Sequence, residues 1–224
     1  MNQNRMRAYK FLDAKYGLES IEKRRLKQSR VSDLNDPFEL RSFNVTNVAL
    51  RKTFQQTAED VHKCRGLLCF SSGWNNPVIW AHYSDKHRGL CLGFEIPEIT
   101  TDSKSNSGYV SYVPQLLPFP VNFDHMPESQ HDGFARSALF TKFEHWAYEK
   151  EIRVWDQLAH EEHGLYFVAF GEDLRLKEVI IGQRSSVTKQ QIMLALGSLS
   201  CKVEIRKARA AYDKFEMVED EQGP

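Results

Sequence analysis

An α+β fold, built on a mixed central sheet with flanking helices and closed by a C-terminal βαβ unit, is what this sequence predicts. Three observations carry that prediction. The short apolar runs at 67–71 and 90–96 have the length and composition of strands buried on both faces. Between them lies a helix with both ends marked: Asn76 suits the N-cap, Pro77 the first helical position, and Gly89 follows a last turn holding His87 and Arg88. Near the C-terminus an apolar strand at 176–182 turns through Gly182-Gln-Arg-Ser-Ser186 into a helix at 187–196, capped by Ser185 or Ser186. A return strand follows at 202–206. Two strands joined by a helix are expected to run parallel, with a right-handed crossover.

The remaining elements follow in order. Residues 8–12 form a short strand and 16–27 a helix whose exposed face is basic. In Val31-Ser-Asp-Leu-Asn-Asp-Pro-Phe-Glu39, Asn35 and Asp36 turn the chain, Pro37 ends or starts a helix, Phe38 is aimed into the core, and Glu39 suits a helix N-terminus. A polar helix spans 45–65, with Val48, Leu50, Phe54, Ala58 and Val61 inside and Gly66 as its stop. Residues 97–108 read as a loop, 108–113 as a strand, 114–133 as an irregular loop or flap with four prolines, and 134–143 as a helix. A strand at 164–170 and an edge strand at 212–217 complete the set, within a single domain over 1–224.

Bulk composition narrows the function classes. Thirty basic residues balance thirty acidic ones, so the chain lacks the net positive field of a protein that coats nucleic acid, although a local basic groove remains compatible. The four cysteines form no Cys-x-x-Cys pair and read as reduced thiols of a cytoplasmic protein. The polar, basic N-terminus predicts no signal peptide, and no run of about 18 apolar residues predicts a membrane span. No metal site is expected: His82 and His87 stand five apart, off the i, i+4 spacing of a two-histidine site.

The densest chemistry lies in Phe140-Thr-Lys-Phe-Glu-His-Trp-Ala-Tyr-Glu-Lys-Glu-Ile-Arg-Val-Trp155. As a strand, its second half puts Tyr148, Ile152 and Val154 on one face and Glu149, Glu151 and Arg153 on the other. Two carboxylates two residues apart then lie about 7 Å apart between Cα atoms. Charges that close need a cation or raise one pKa, and Arg153 is the obvious neutraliser.

The chain resembles the bacterial family known as domain of unknown function 2971. The resemblance rests on Tyr9-Lys-Phe11, Asn35-Asp-Pro-Phe-Glu39, Cys69-Phe-Ser71, Trp80-Ala-His-Tyr83, Gly89, Gly93-Phe94, Thr141-Lys142, Trp146-Ala-Tyr-Glu-Lys-Glu-Ile-Arg153 and Leu176-Lys-Glu-Val-Ile-Ile-Gly182. A weaker similarity, carried by Glu149-Lys-Glu151 and the order of elements, is to the ADP-ribosyltransferase fold. That similarity implies an NAD-consuming transferase or NAD glycohydrolase, of the kind used as a toxin or antiphage defence effector, with NAD as substrate and a protein or nucleic acid as acceptor. In it Glu151 stabilises the oxocarbenium-like centre, Glu149 steers the acceptor, and Tyr83 or Tyr9 stacks on nicotinamide. Lys10 departs from the Arg or His usual there and would bind pyrophosphate, Ser71 matches the middle-strand serine, and His82, Arg88 and Arg153 complete the nucleotide contacts. The residues leave two alternatives open. One is a non-catalytic nucleotide or nucleic-acid binding module. The other is a metal-dependent nuclease using Asp36, Glu39, Glu149 and Glu151.

Overall fold

The computed structural model describes residues 4–99, 105–120 and 123–221, so part of the predicted 97–108 loop lies outside the described residues. In chain order the first elements are β1 (Arg5–Leu12), α1 (Ala14–Glu22), β2 (Arg25–Gln28), β3 (Phe43–Asn44), α2 (Val48–Cys64), β4 (Arg65–Ser71), α3 (Pro77–Tyr83) and β5 (Leu90–Pro97). Then come β6 (Ser107–Tyr109), β7 (Ser111–Val113), β8 (Leu117–Pro118), α4 (Glu128–Leu139), β9 (Thr141–Phe143) and β10 (Glu151–Gln157). The last are β11 (Glu161–Glu162), β12 (Leu165–Ala169), β13 (Arg175–Ile181), α5 (Lys189–Leu196), β14 (Glu204–Ala210) and β15 (Met217–Glu219). The mixed α and β content matches the predicted class. The chain divides into two compact units: Met1–Lys27, Phe70–Glu98 and Val168–Pro224 form one, and Gln28–Cys69 with Ile99–Phe167 form the other. No helix among the described residues is long and apolar enough to cross a membrane.

The first unit carries a mixed sheet in the order β15-β14-β13-β5-β1. β1 pairs with β5 antiparallel from Arg5↔Pro97 to Leu12↔Leu90, and the end of β4 meets β1 at Tyr9↔Ser71. β13 and β14 are parallel across α5, as the βαβ pattern predicts. The sheet interior is apolar where the sequence runs are apolar: Cys91, Leu92, Phe94, Val179, Ile180 and Ile181 are wholly buried.

Four predicted boundaries in this unit move, each for a local reason. α1 ends at Glu22 instead of running to 27, because Arg24 turns with φ 52° and the next four residues bury alternately, with Leu26 and Gln28 inside. α3 has the predicted Asn76 cap but stops at Tyr83. Asp85, Lys86 and His87 then take φ of 42°, 54° and 70°. The carbonyls of His87 and Gly89 accept from Arg184 N and Gly182 N at 3.0 Å each, which draws the chain out of the helix. α5 is capped by Thr188 in a box with Gln191, not by Ser185 or Ser186. Residues 212–216 form a turn, and the edge strand is β15, antiparallel to β14.

The second unit holds the order β4-β10-β6, the parallel pair β7–β9 and the small pair β3–β8. α2 starts at the Asn47 cap and ends at Cys64, while Gly66 belongs to β4, where a Cβ would meet Gln28 and Leu158 at 2.7 Å. The helix expected at 134–143 begins earlier, inside the predicted flap, and gives way to β9. Phe134 anchors it by stacking on Phe43 at 4.4 Å among Phe54, Phe119 and Phe123. Phe38 is 56% exposed, the reverse of its expected core position.

Candidate functional site

The predicted strand through 148–155 is only half a strand. Glu144–Glu149 is a 3-10 turn, Lys150 is left-handed with φ 44°, and β10 begins at Glu151. Glu149 therefore does not share a strand face with Glu151. The two carboxylates still converge, on a group outside the predicted set. Lys142 Nζ lies 2.7 Å from Glu149 Oε2, 3.1 Å from Glu151 Oε2 and 3.7 Å from Glu39 Oε1, and 5.0 Å from the Trp146 ring centroid.

Arg153 closes the cluster from the other side and is completely buried. Its Nε donates to Glu151 Oε1 at 2.8 Å and Nη2 to Glu151 Oε2 at 3.1 Å. Nη1 and Nη2 grip Glu39 Oε2 and Oε1 at 2.8 and 2.6 Å, and Nη1 also reaches Leu139 O at 2.8 Å. All the N–H groups of a guanidinium are thus bonded. Burial would raise the Glu151 carboxyl, but Arg153 and Lys142 outweigh it and hold the group at about 2. Burial raises Glu39 against the pull of Arg153. Lys142 sits above its ordinary value because Glu151 and Glu149 overcome the effect of burial. Tyr112, pushed up to about 12 by burial, accepts from Glu151 N at 2.8 Å. Glu39, Glu149 and Glu151, three of the proposed nuclease carboxylates, thus gather around an ammonium.

Glu39 connects this cluster to a cleft. Asp36 is buried, and its Oδ1 accepts from Phe38 N at 2.9 Å. Arg41 N bonds to Phe38 O at 2.8 Å, and Leu40 takes φ 60°. With Glu39 pulled inward by Arg153, the turn presents Phe38 and Arg41 outward, while Leu40 is half-buried against Leu67, Phe140 and Trp155. Phe38, Leu40 and Arg41 line a cleft of about 670 Å³ together with Val31, Ser32, Phe43, Asn44, Arg51, Phe54, Glu59, His62 and others. Glu39 is not at a helix N-terminus. Its place is set by an ion pair across 114 residues of chain, which local sequence does not reveal.

The other predicted site residues belong to the first unit. Tyr9 and Ser71 face each other across β1 and β4. Tyr9 Oη donates to Glu178 Oε1 at 3.3 Å, and its hydroxyl is pushed up to about 12 by burial and then by Glu178. Lys10 is the next residue on β1, opposite Leu92, and so points to the other face of the sheet from Tyr9. His82 is exposed with its ring 6.3 Å from that of Tyr83. Arg88 forks onto Asp85 at 3.0 Å through both Nε and Nη2. Sequence reasoning missed Glu178 and the role of Lys142. Lys142 had one signal, a lone cation two residues past the apolar Ala138-Leu-Phe140.

Residues 79–154 match the family model described as "Protein of unknown function (DUF2971)". Over that stretch the predicted resemblance is borne out, and Lys142, Glu149, Glu151 and Arg153 lie within it. No curated protein and no solved structure matches the chain.

Proposed function

We propose, for a chain whose residues 79–154 fall in that family of unknown function, that the protein binds a nucleotide-class ligand in the cleft of its second unit, without chemistry. The observation that carries this reading is the lining of the cleft. Phe38, Phe43 and Phe54 supply ring surface, Arg41 and Arg51 supply guanidinium groups, and Ser32, Asn44 and His62 supply hydrogen bonds. A concave, mostly apolar site with a few charged groups suits a flat base joined to a phosphate. Arg51 is pre-set, donating to Val45 O and Thr46 O at 3.0 and 2.7 Å. The buried cluster then acts as a frame, holding Phe38 and Arg41 at the rim through Glu39.

Calorimetric titration with AMP, ADP and NAD tests this. Saturable binding is expected, weakened about tenfold by Arg41→Ala, the usual effect of losing one charge-assisted hydrogen bond. Flat titrations with all three ligands reject the reading.

A second reading, an NAD-consuming transferase or glycohydrolase acting in the cytoplasm as a toxin or antiphage effector, has one observation in its favour. Glu151 is held ionised down to about pH 2, the state that stabilises an oxocarbenium-like centre. It requires a ribose to reach that carboxylate while Arg153 and Lys142, which keep it ionised, stay in place. The same NAD titration, followed for free nicotinamide, separates the two: release by wild type and not by Glu151→Gln favours the enzyme.

A further inference from the structure

We propose that the cleft of the second unit selects guanine over adenine, with Gln55 and Glu59 of α2 reading the base; this rests on the nucleotide reading above and names its base. Arg51, Gln55 and Glu59 all line the cleft and follow one another at intervals of four, so they form a single ridge along the helix. Gln55 and Glu59 are neighbours one turn apart, with about 6 Å between their Cβ atoms. Phe54 and Ala58 run beside them in the same lining and offer an apolar surface to a flat ring. Val48–Cys64 is unbroken helix, so the order of these groups along the cleft is fixed by the backbone.

The side chains on that ridge are not spent on each other. Gln55 and Glu59 are exposed, and their side chains make no hydrogen bond or ion pair among the described residues. The next acid, Asp60, is by contrast taken by Gln56 and Lys63 at 3.3 and 3.1 Å, and the His62 ring meets Ser32 Oγ at 3.4 Å. The cleft is therefore offered one carboxylate without a donor, beside one amide. A carboxylate only accepts, and it bonds best to two parallel N–H groups. The pairing edge of guanine presents two, N1–H and the N2 amine, next to an O6 acceptor that suits the Gln55 amide N–H. Adenine presents a single amine there beside a bare ring nitrogen, which leaves one carboxylate oxygen facing a lone pair. Arg51 lies about 12 Å from Glu59 along the helix axis, two turns away. That is comparable with the reach from the pairing edge of a purine to its 5′-phosphate, so cation and carboxylate meet opposite ends of one nucleotide.

The test is calorimetric titration of the full chain with GMP, IMP and AMP. GMP should bind about tenfold tighter than AMP, the usual effect of one charge-assisted hydrogen bond. IMP, which keeps N1–H and O6 but lacks the N2 amine, should fall between them. Glu59→Gln should bring GMP down to the affinity of AMP while leaving AMP binding and the Tm unchanged, since Glu59 is exposed and unpaired. Arg41→Ala should weaken all three nucleotides alike and keep their ratio. Equal affinity for GMP and AMP, or a guanine preference that survives Glu59→Gln, overturns the base assignment and leaves the cleft reading standing. Flat titrations with all three nucleotides overturn both.

Discussion

Arg153 carries no exposed surface, and Glu39, Glu151 and Leu139 take up its donors. Breaking a buried pair on one side leaves an uncompensated charge, so these residues act as a unit. The sign of their pH response follows from Glu151. Its carboxyl lies at about 2 in the fold, against 4.5 ordinarily. It therefore contributes about 3 kcal/mol above pH 4.5, and this is lost as the pH falls toward 2. Glu39, raised by burial, works in the opposite sense and offsets part of that loss. Wild-type Tm should fall between pH 5 and pH 3, and Glu151→Gln should start lower at pH 7 and respond less to acid. A Tm that is flat across that range in the wild type would contradict the assignment. The Arg153–Glu151 pair was legible because period-two alternation put both on one face. Glu149 was misread because a left-handed Lys150 breaks the strand before it. Glu39 and Lys142 were not legible as partners, since long-range pairing leaves no trace in local spacing.

Among the helices, α3 begins and α5 ends where the sequence marked it, and the other boundaries shift. Asn76 and Pro77 are local signals, and each works as read, whereas Asn47, the actual cap of α2, lay inside the helix expected at 45–65. Helix ends depended on packing. Gly89 looked like a stop signal for α3, but its missing side chain serves a close approach: a Cβ there would collide with the backbone carbonyl of Leu12. Gly182 stands likewise against the carbonyl of His87. Backbone cannot yield as a flexible side chain can, so Gly89→Ala should cost about 3 kcal/mol, the upper part of the usual range for overpacking. Urea unfolding measures this directly. A midpoint like that of wild type would show that β1 and the α3–β5 turn have room to separate. The flap expected at 114–133, of which 121–122 lie outside the described residues, runs too far only at its end, where α4 begins at Glu128, and for a related reason. Its prolines are local, but the ring cluster that fixes α4 through Phe134 draws on Phe43 and Phe54, far away in sequence.

At the scale of the molecule, the mixed sheet with flanking helices and the parallel β13–α5–β14 unit were legible, because apolar runs and crossover rules specify them. The division into two units was not, because the chain passes between them at Lys27/Gln28, Cys69/Phe70, Glu98/Ile99 and Phe167/Val168, with no linker composition to mark the crossings. This interleaving bears on the stretch that carries the family match. Residues 79–154 include Arg153, Glu151 and Lys142 but omit Glu39. Expressed by itself, that piece would hold a guanidinium whose best counter-ion was left behind, along with half-sheets lacking β1 and β13. It should show no cooperative thermal transition by circular dichroism, and a sharp melt from the excised piece would refute this. The matched stretch is thus not a self-sufficient body: its buried arginine needs a glutamate supplied from outside residues 79–154.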